Sequence, residues 1–379
     1  MKKPSTMLIS ITVLLTLSHF IPSCLSQTHS ISYQLLNEPN GSTIYGLNVT
    51  VQQSLYEYYN GKSHTLSSEY DFARFVTPHA LKPIADSLLK LYADDEDFAN
   101  GVLMIVHQIP YEVIGPPKYP IETMVENKGD CDLLSFIAAS IMKAGGLNVA
   151  LLYYEDESHM NVGVSLSHSP QDARTRAYYV TYNNIRYYIA ECTGGDWRDG
   201  WRVGECPDGL REARVKVITL ENCEEWSPGQ VSASYKTLIS TTLSLTVSPI
   251  ILIQGGTVTI SGQISPALQN REVAIYVKVN NSPWTVLNVT TTDANGHFVY
   301  VWDAEVNAGV CFIRASWSGD YEYAGADSPT RTVTVLSAFF ILLLIITVVV
   351  ACLGAFIFLI SKQTQPAEIQ EPQPPEPPA

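Results

Sequence analysis

Apolar and polar positions change rhythm several times along the chain. A short apolar run at 8–17 follows Met1-Lys-Lys-Pro. That basic start and a stretch of about ten residues, too short for a bilayer, predict a secretory signal over 1–26. Further on, apolar residues recur at spacings of three and four over 51–59, 83–92 and 98–108, which predicts helices. From 133 to 144 nearly every position is apolar or small, and Gly145-Gly146 follows. A run of that kind predicts a buried helix with a glycine stop. Beyond it, Leu151-Leu-Tyr-Tyr and His159-Met-Asn-Val-Gly-Val-Ser-Leu166 flank Glu-Asp-Glu-Ser and read as two strands on an acidic turn. Arg186-Tyr-Tyr-Ile-Ala-Glu191 reads as a further strand.

Between 241 and 335 the rhythm is strict alternation, as in Thr-Val-Thr-Ile260 and Val-Ala-Ile-Tyr-Val-Lys-Val279, broken by turns such as Asp293-Ala-Asn-Gly296. Short period-two strands at this spacing predict an all-β sandwich. The stretch resembles the immunoglobulin-like modules of prokaryotic surface proteins in Gly-Gly-Thr-Val-Thr-Ile-Ser-Gly262 and Ser-Trp-Ser-Gly-Asp-Tyr-Glu-Tyr-Ala-Gly325. Its expected role is a spacer. The segment 336–360 carries no charged residue. At 1.5 Å per residue it would reach about 37 Å, so it predicts one transmembrane helix. The proline-rich tail 361–379 has too few apolar groups to pack and is expected to be disordered and cytoplasmic. The expected organisation is therefore a signal at 1–26, a catalytic domain with a helical N-terminal part at 27–235, the sandwich at 241–335, the membrane helix and the tail. It implies a single-pass protein of the cell membrane with its N-terminal domains extracellular.

Charge sharpens this picture. The chain of 379 residues has a net charge of −14. The two terminal regions contribute nothing to it, since 20 basic and 34 acidic residues lie between Gln27 and Val335. Such a field repels nucleic acid, so no nucleic-acid partner is expected. Of these residues, 16 basic and 27 acidic precede 241.

The chemistry concentrates in 119–202. Asp130 precedes the apolar helix and reads as its N-cap, which places Cys131 in the first turn. Free N–H groups and the helix dipole there favour a thiolate. His159 opens a strand after the acidic turn, and Glu191 ends another. A cysteine, a histidine 28 residues later and an acid 32 residues after that supply a nucleophile, a base and an orienting group. Glu155-Asp-Glu157, just before His159, is expected to favour the protonated imidazole.

The blocks Gly129-Asp-Cys131-Asp, His159-Met-Asn-Val-Gly-Val and Tyr-Tyr-Ile-Ala-Glu191-Cys-Thr resemble the transglutaminase-like superfamily over 112–204. The resemblance implies an α+β papain-like core, in which a cysteine-bearing helix packs on an antiparallel sheet. It further implies Cys131 as nucleophile, His159 as base and Glu191 in the place usually held by Asp. The implied activity is thioester acyl transfer on protein or peptide amides, as a cysteine peptidase or amidase, with a cross-linking transglutaminase as the alternative. A non-catalytic binding protein on the same fold is the reading from another class. No cofactor and no metal are expected, and the sequence leaves the oligomeric state open.

Remaining features carry less. Trp197 or Trp201 would line the site, and the backbone N–H of Cys131 is placed to serve as an oxyanion donor. A bridge between Cys192 and Cys206 would close a short loop beside Glu191. The acidic run Asp94-Asp-Glu-Asp97 reads as a solvated loop, with a calcium site as the alternative. Glycosylation triplets stand at Asn40, Asn48, Asn280 and Asn288.

Overall fold

The computed structural model describes residues 28–38 and 41–363. The expected signal, Asn40 and most of the expected tail lie outside the described residues. The chain opens on a hairpin, β1 (Thr28–Leu36) and β2 (Ile44–Gln52), and β8 (Ser232–Ser234) adds to the free side of β2. Helices α1 (Gln53–Asn60), α2 (Pro78–Leu91), α3 (Asp95–Val106), α4 (Pro120–Glu126) and α5 (Cys131–Ala144) follow. The apolar spacing near 51–59 marks the end of a strand and then a helix, because Val51 and Gln52 still pair with β1. The run Asp94–Asp97 is no loop. Asp94 caps α3 by accepting the Glu96 N–H at 2.8 Å, and the following acids occupy the positive first turn.

Helix α5 is central. Its residues from Leu133 to Met142 are all buried, so no face is left for solvent. It packs on α2, α3 and α4 and on one face of a sheet ordered β5-β6-β4-β3-β7. The strands of that antiparallel sheet are β3 (Asn148–Tyr154), β4 (His159–Ser165), β5 (Tyr179–Tyr182), β6 (Ile185–Ala190) and β7 (Lys216–Thr219). The main core joins Phe136, Ile137 and Ile141 of α5 to Leu151, Val162, Val164 and Ala190 of the sheet. Gly146, at φ 94°, turns the chain out of α5 into β3.

Residues 242–336 form two facing sheets. One is β14 (His297–Asp303), β11 (Thr257–Ser265) and β9 (Thr242–Ser248). The other is β10 (Ile251–Ile253), β17 (Arg331–Leu336), β15 (Gly309–Gly319), β12 (Glu272–Val279) and β13 (Thr285–Thr291), with β16 (Ala324–Asp327) on β15. Alternate residues such as Leu243, Leu245, Ile260, Ile275, Ile313 and Trp302 meet between them. The β10–β17 pair is parallel, whereas the other strand pairs described in these two sheets are antiparallel. Polar bonds join this part to α1: Ser54 N–H donates to Asp327 Oδ2 at 2.8 Å, and Arg314 Nη1 lies 2.8 Å from Glu57 Oε2.

Two expectations are corrected. The expected fold class, an α+β papain-like core with a sandwich and one transmembrane helix, gives way to a mostly β-rich chain of several sheets with helices among them. The apolar run near 336–360 becomes α6 (Ala338–Gln363). Among the described residues no helix is long and apolar enough to cross a membrane. The expected membrane partner, the single-pass placement and the extracellular and cytoplasmic assignments therefore lack support.

Candidate functional site

The structure brings Cys131, His159 and Glu191 together at one end of α5. Cys131 is the first residue of that helix and is half-buried. Asp130 precedes it in an extended conformation but forms no side-chain cap. Its Oδ2 instead accepts the Ile114 N–H at 2.9 Å, tying the segment after α3 to the helix start. His159 opens β4 directly opposite Tyr154 of β3. The hairpin turn before it uses Ser158 at φ 49°, whose carbonyl accepts from Cys131 Sγ at 3.8 Å. Glu191 follows the last residue of β6, and Val162 of β4 pairs with Ala190. Gly163 allows that approach, because a Cβ there would lie 2.8 Å from Tyr187 Cβ and 3.2 Å from Leu152 Cδ1.

Glu191 is fully buried, and a buried carboxylate must have donors. Oε2 lies 2.9 Å from His159 Nε2 and accepts Asn161 Nδ2–H at 3.4 Å. Oε1 accepts the Thr193 N–H at 2.9 Å and the Thr193 hydroxyl at 2.6 Å. Burial pushes the Glu191 carboxyl up, but the His159 and Thr193 donors outweigh it and hold the group below the usual range. For His159, burial disfavours the imidazolium, yet hydrogen bonds to Cys131 and Glu191 raise its pKa to about 10. Asp132, beside the cysteine, is pushed up to about 8 by burial and by the neighbouring Asp130 carboxylate. Within the acidic turn, Glu155 pairs with Lys216 at 2.7 Å.

Asn161, Thr193 and His107 also touch Glu191, and the sequence reading missed them. Asn161 follows His159 by two along a strand and so shares its face, a signal that period two makes available. Thr193 stands two residues from Glu191. No local signal marks His107, whose Nε2 lies 3.0 Å from the Glu191 carbonyl oxygen. Trp197 and Trp201 line a narrow crevice with Met104, His107 and Gly200.

Cys192, Cys206 and Cys223 are free thiols. Cys192 sits in the main core, whereas Cys206 lies in a separate cluster with Leu152, Tyr154, Ile189 and Leu210. A bridge between them is absent because they occupy different cores. Burial pushes the Cys206 thiol up to about 11 and the Cys223 thiol up to about 12. Asp94, Asp95 and His168 gather ligand atoms within 4.8 Å of one another, and the His168 imidazole is raised to about 9, first by its bond to Asp94.

No family model matches the chain, and no curated protein matches it. Among solved structures, a chitin-binding domain from Burkholderia pseudomallei aligns at 12% identity over 23% of this chain and 56% of its own length, with a TM-score of 0.20. The Pseudomonas fluorescens alkylpurine DNA glycosylase AlkC aligns at 12% identity over 25% of this chain and 30% of its own, with a TM-score of 0.19. Red sea bream transglutaminase aligns at 8% identity over 81% of this chain and 62% of its own, with a TM-score of 0.20. The chain thus spans 56% and 30% of the length of the first two. At these scores no alignment carries an argument about fold or activity. The transglutaminase likeness is a weak one. The expected protease, catalytic-triad and cell-surface descriptions are corrected, since these comparisons give them no support.

Proposed function

We propose that the chain is a cysteine acyl-transfer enzyme acting on protein or peptide amides. The observation that carries this reading is the buried Glu191 carboxylate bonded to His159, with a half-exposed Cys131 at a helix start whose Sγ lies 3.8 Å from the carbonyl of Ser158, the residue before His159. The ion-paired state puts the thiol proton on His159 and leaves Cys131 as thiolate. The thiolate attacks the amide carbonyl carbon, and in this reading the backbone N–H of Cys131 donates to the oxyanion. As the C–N bond breaks, the imidazolium gives its proton to the departing amine and a thioester remains. Neutral His159 then takes a proton from the acceptor, water or an amine, whose oxygen or nitrogen displaces the sulfur. Glu191 holds the ring and balances its charge throughout.

The test is covalent capture at neutral pH. Incubating the protein with casein and a fluorescent amine, and separately with a thiol-directed probe, should label Cys131 and yield amine-tagged or hydrolysed casein. Cys131→Ala should abolish both signals. Equal labelling and turnover in that variant would overturn the reading, and specific retention of a protein without turnover would favour a binding role.

A further inference from the structure

We infer that His107 is a positioning residue that aims Glu191 at His159 by clamping the Glu191 backbone. The consequence for acyl transfer rests on the function proposed above; the clamp itself does not.

His107 stands at the C-cap of α3, its backbone N–H bonded to the Leu103 carbonyl at 3.0 Å. Its ring reaches across 84 residues of sequence to the Glu191 carbonyl, with Nε2 at 3.0 Å. Strand β6 ends at Ala190, so this carbonyl lies past the ladder and takes its donor from elsewhere. A carbonyl oxygen can only accept, so Nε2 must carry the proton. Burial, the largest influence on this imidazole, holds its pKa below the ordinary value against the opposing pull of Glu191, which keeps the ring neutral. The neutral ring then presents a bare Nδ1 to Gly200. A Cβ at Gly200 would lie 2.4 Å from that nitrogen, so only glycine fits against it.

The far end of the same loop is held independently. Arg174 donates to the Gly200 carbonyl at 2.8 Å and to the Asp199 carbonyl at 3.1 Å, and pairs with Glu205 at 2.6 Å. His107 is therefore wedged between the first and last parts of the 191–200 loop. The Glu191 side chain leaves from a Cα next to the clamped carbonyl. Turning that peptide would swing Oε2 away from the 2.9 Å contact with His159.

The experiment uses the full chain with His107→Leu, which keeps bulk but loses the donor, and His107→Gln, whose amide nitrogen can replace Nε2. Two quantities are followed: the His159 titration midpoint by NMR of labelled imidazoles, and the rate of Cys131 alkylation by iodoacetamide against pH. In the Leu variant the His159 midpoint should fall by at least about one pH unit toward the ordinary value near 6.5. Alkylation, followed across the pH range, should change its profile in step, with the alkaline inflection moving down by the same amount. The Gln variant should recover most of both. If the Leu variant does not fold, Gly200→Ala should displace the imidazole and give the same shift with His107 intact. Unchanged midpoints in either variant, or equal losses with Leu and Gln, would overturn the proposal. Because the midpoint reads the placement of Glu191 with or without turnover, a native chain that shows the raised midpoint but forms no thioester would sink the acyl-transfer reading alone.

Discussion

Glu191 meets His159 with Oε2 2.9 Å from Nε2, from a fully buried position just beyond the end of a strand. The longer acid uses its extra methylene to cover that distance, and both of its oxygens are engaged. Shortening it tests whether the reach matters. Glu191→Asp should draw the carboxylate back by about 1.5 Å, past hydrogen-bond range. The rate of Cys131 alkylation at neutral pH should then drop about tenfold to a hundredfold, close to the level of Glu191→Gln. A Glu191→Asp rate equal to the native one would show that backbone adjustment makes up the difference.

Stability should depend on pH through this pair. The folded His159 pKa of about 10 exceeds the unfolded value near 6.5. Its contribution is therefore complete below about 6.5 and is lost as pH rises through about 10. The Glu191 carboxyl is held low, so its contribution is present above the unfolded value near 4.3 and is lost as pH falls through its folded value. Thermal melting should be highest from about pH 5 to 7 and decline on either side. In Cys131→Ala the alkaline decline should still start near about 6.5 but be smaller and end at a lower pH, since one of the groups that raises His159 is gone. A melting temperature as flat from pH 7 to 10 as that of His159→Gln would contradict this.

Thr193 supplies two of the donors to Oε1. Thr193→Val keeps the N–H and removes the hydroxyl at nearly constant volume. The loss should cost about 1–3 kcal/mol of stability. It should also move the acid limb of the alkylation profile to higher pH, because the carboxylate loses a partner that holds it low. Urea unfolding and the pH profile read the two effects separately, and a profile that stays in place would remove Thr193 from the site.

Gly163 lies on β4, the strand that His159 opens, and pairs with Ile189 of β6, two residues before Glu191. In Gly163→Ala the new methyl would press on Tyr187 and Leu152 in a packed sheet, an overpacking cost of about 1–3 kcal/mol. The same pressure should part β4 from β6 and slow Cys131 alkylation. Gly46→Ala is the control, because a Cβ at that position of β2 meets nothing within 4 Å. Its stability should stay within about 0.5 kcal/mol of the native chain. Equal melting temperatures for the two variants would show that the sheet absorbs the methyl.

Much of the site was legible because its parts are local. Cys131 at a helix start follows from a long apolar run with a Gly-Gly stop, and the strands bearing His159 and Glu191 follow from alternation and turn residues. Asn161 could have been read from its period-two offset from His159. The Asp130 carboxylate could not, because a residue that looks like a helix cap is drawn to the Ile114 N–H by a segment that passes beside it. Cys192 and Cys206 looked ready to bridge on spacing alone, yet they face different cores.

By itself the sequence determined the helix that Cys131 opens and the strands next to His159 and Glu191, though not every element, since 94–97 and 51–52 read otherwise from the local pattern. Such choices depend on neighbours three, four or two positions away, and those neighbours are written in order. The tertiary structure alone decided which groups meet: Oε2 of Glu191 with Nε2 of His159, His107 with a carbonyl 84 residues away, and Glu155 with Lys216 rather than with the base. It also turned the apolar segment near 336–360 from an expected span into α6, which does not meet the length and apolarity of a crossing among the described residues. Those contacts are set by close packing of distant segments, and no local pattern records them.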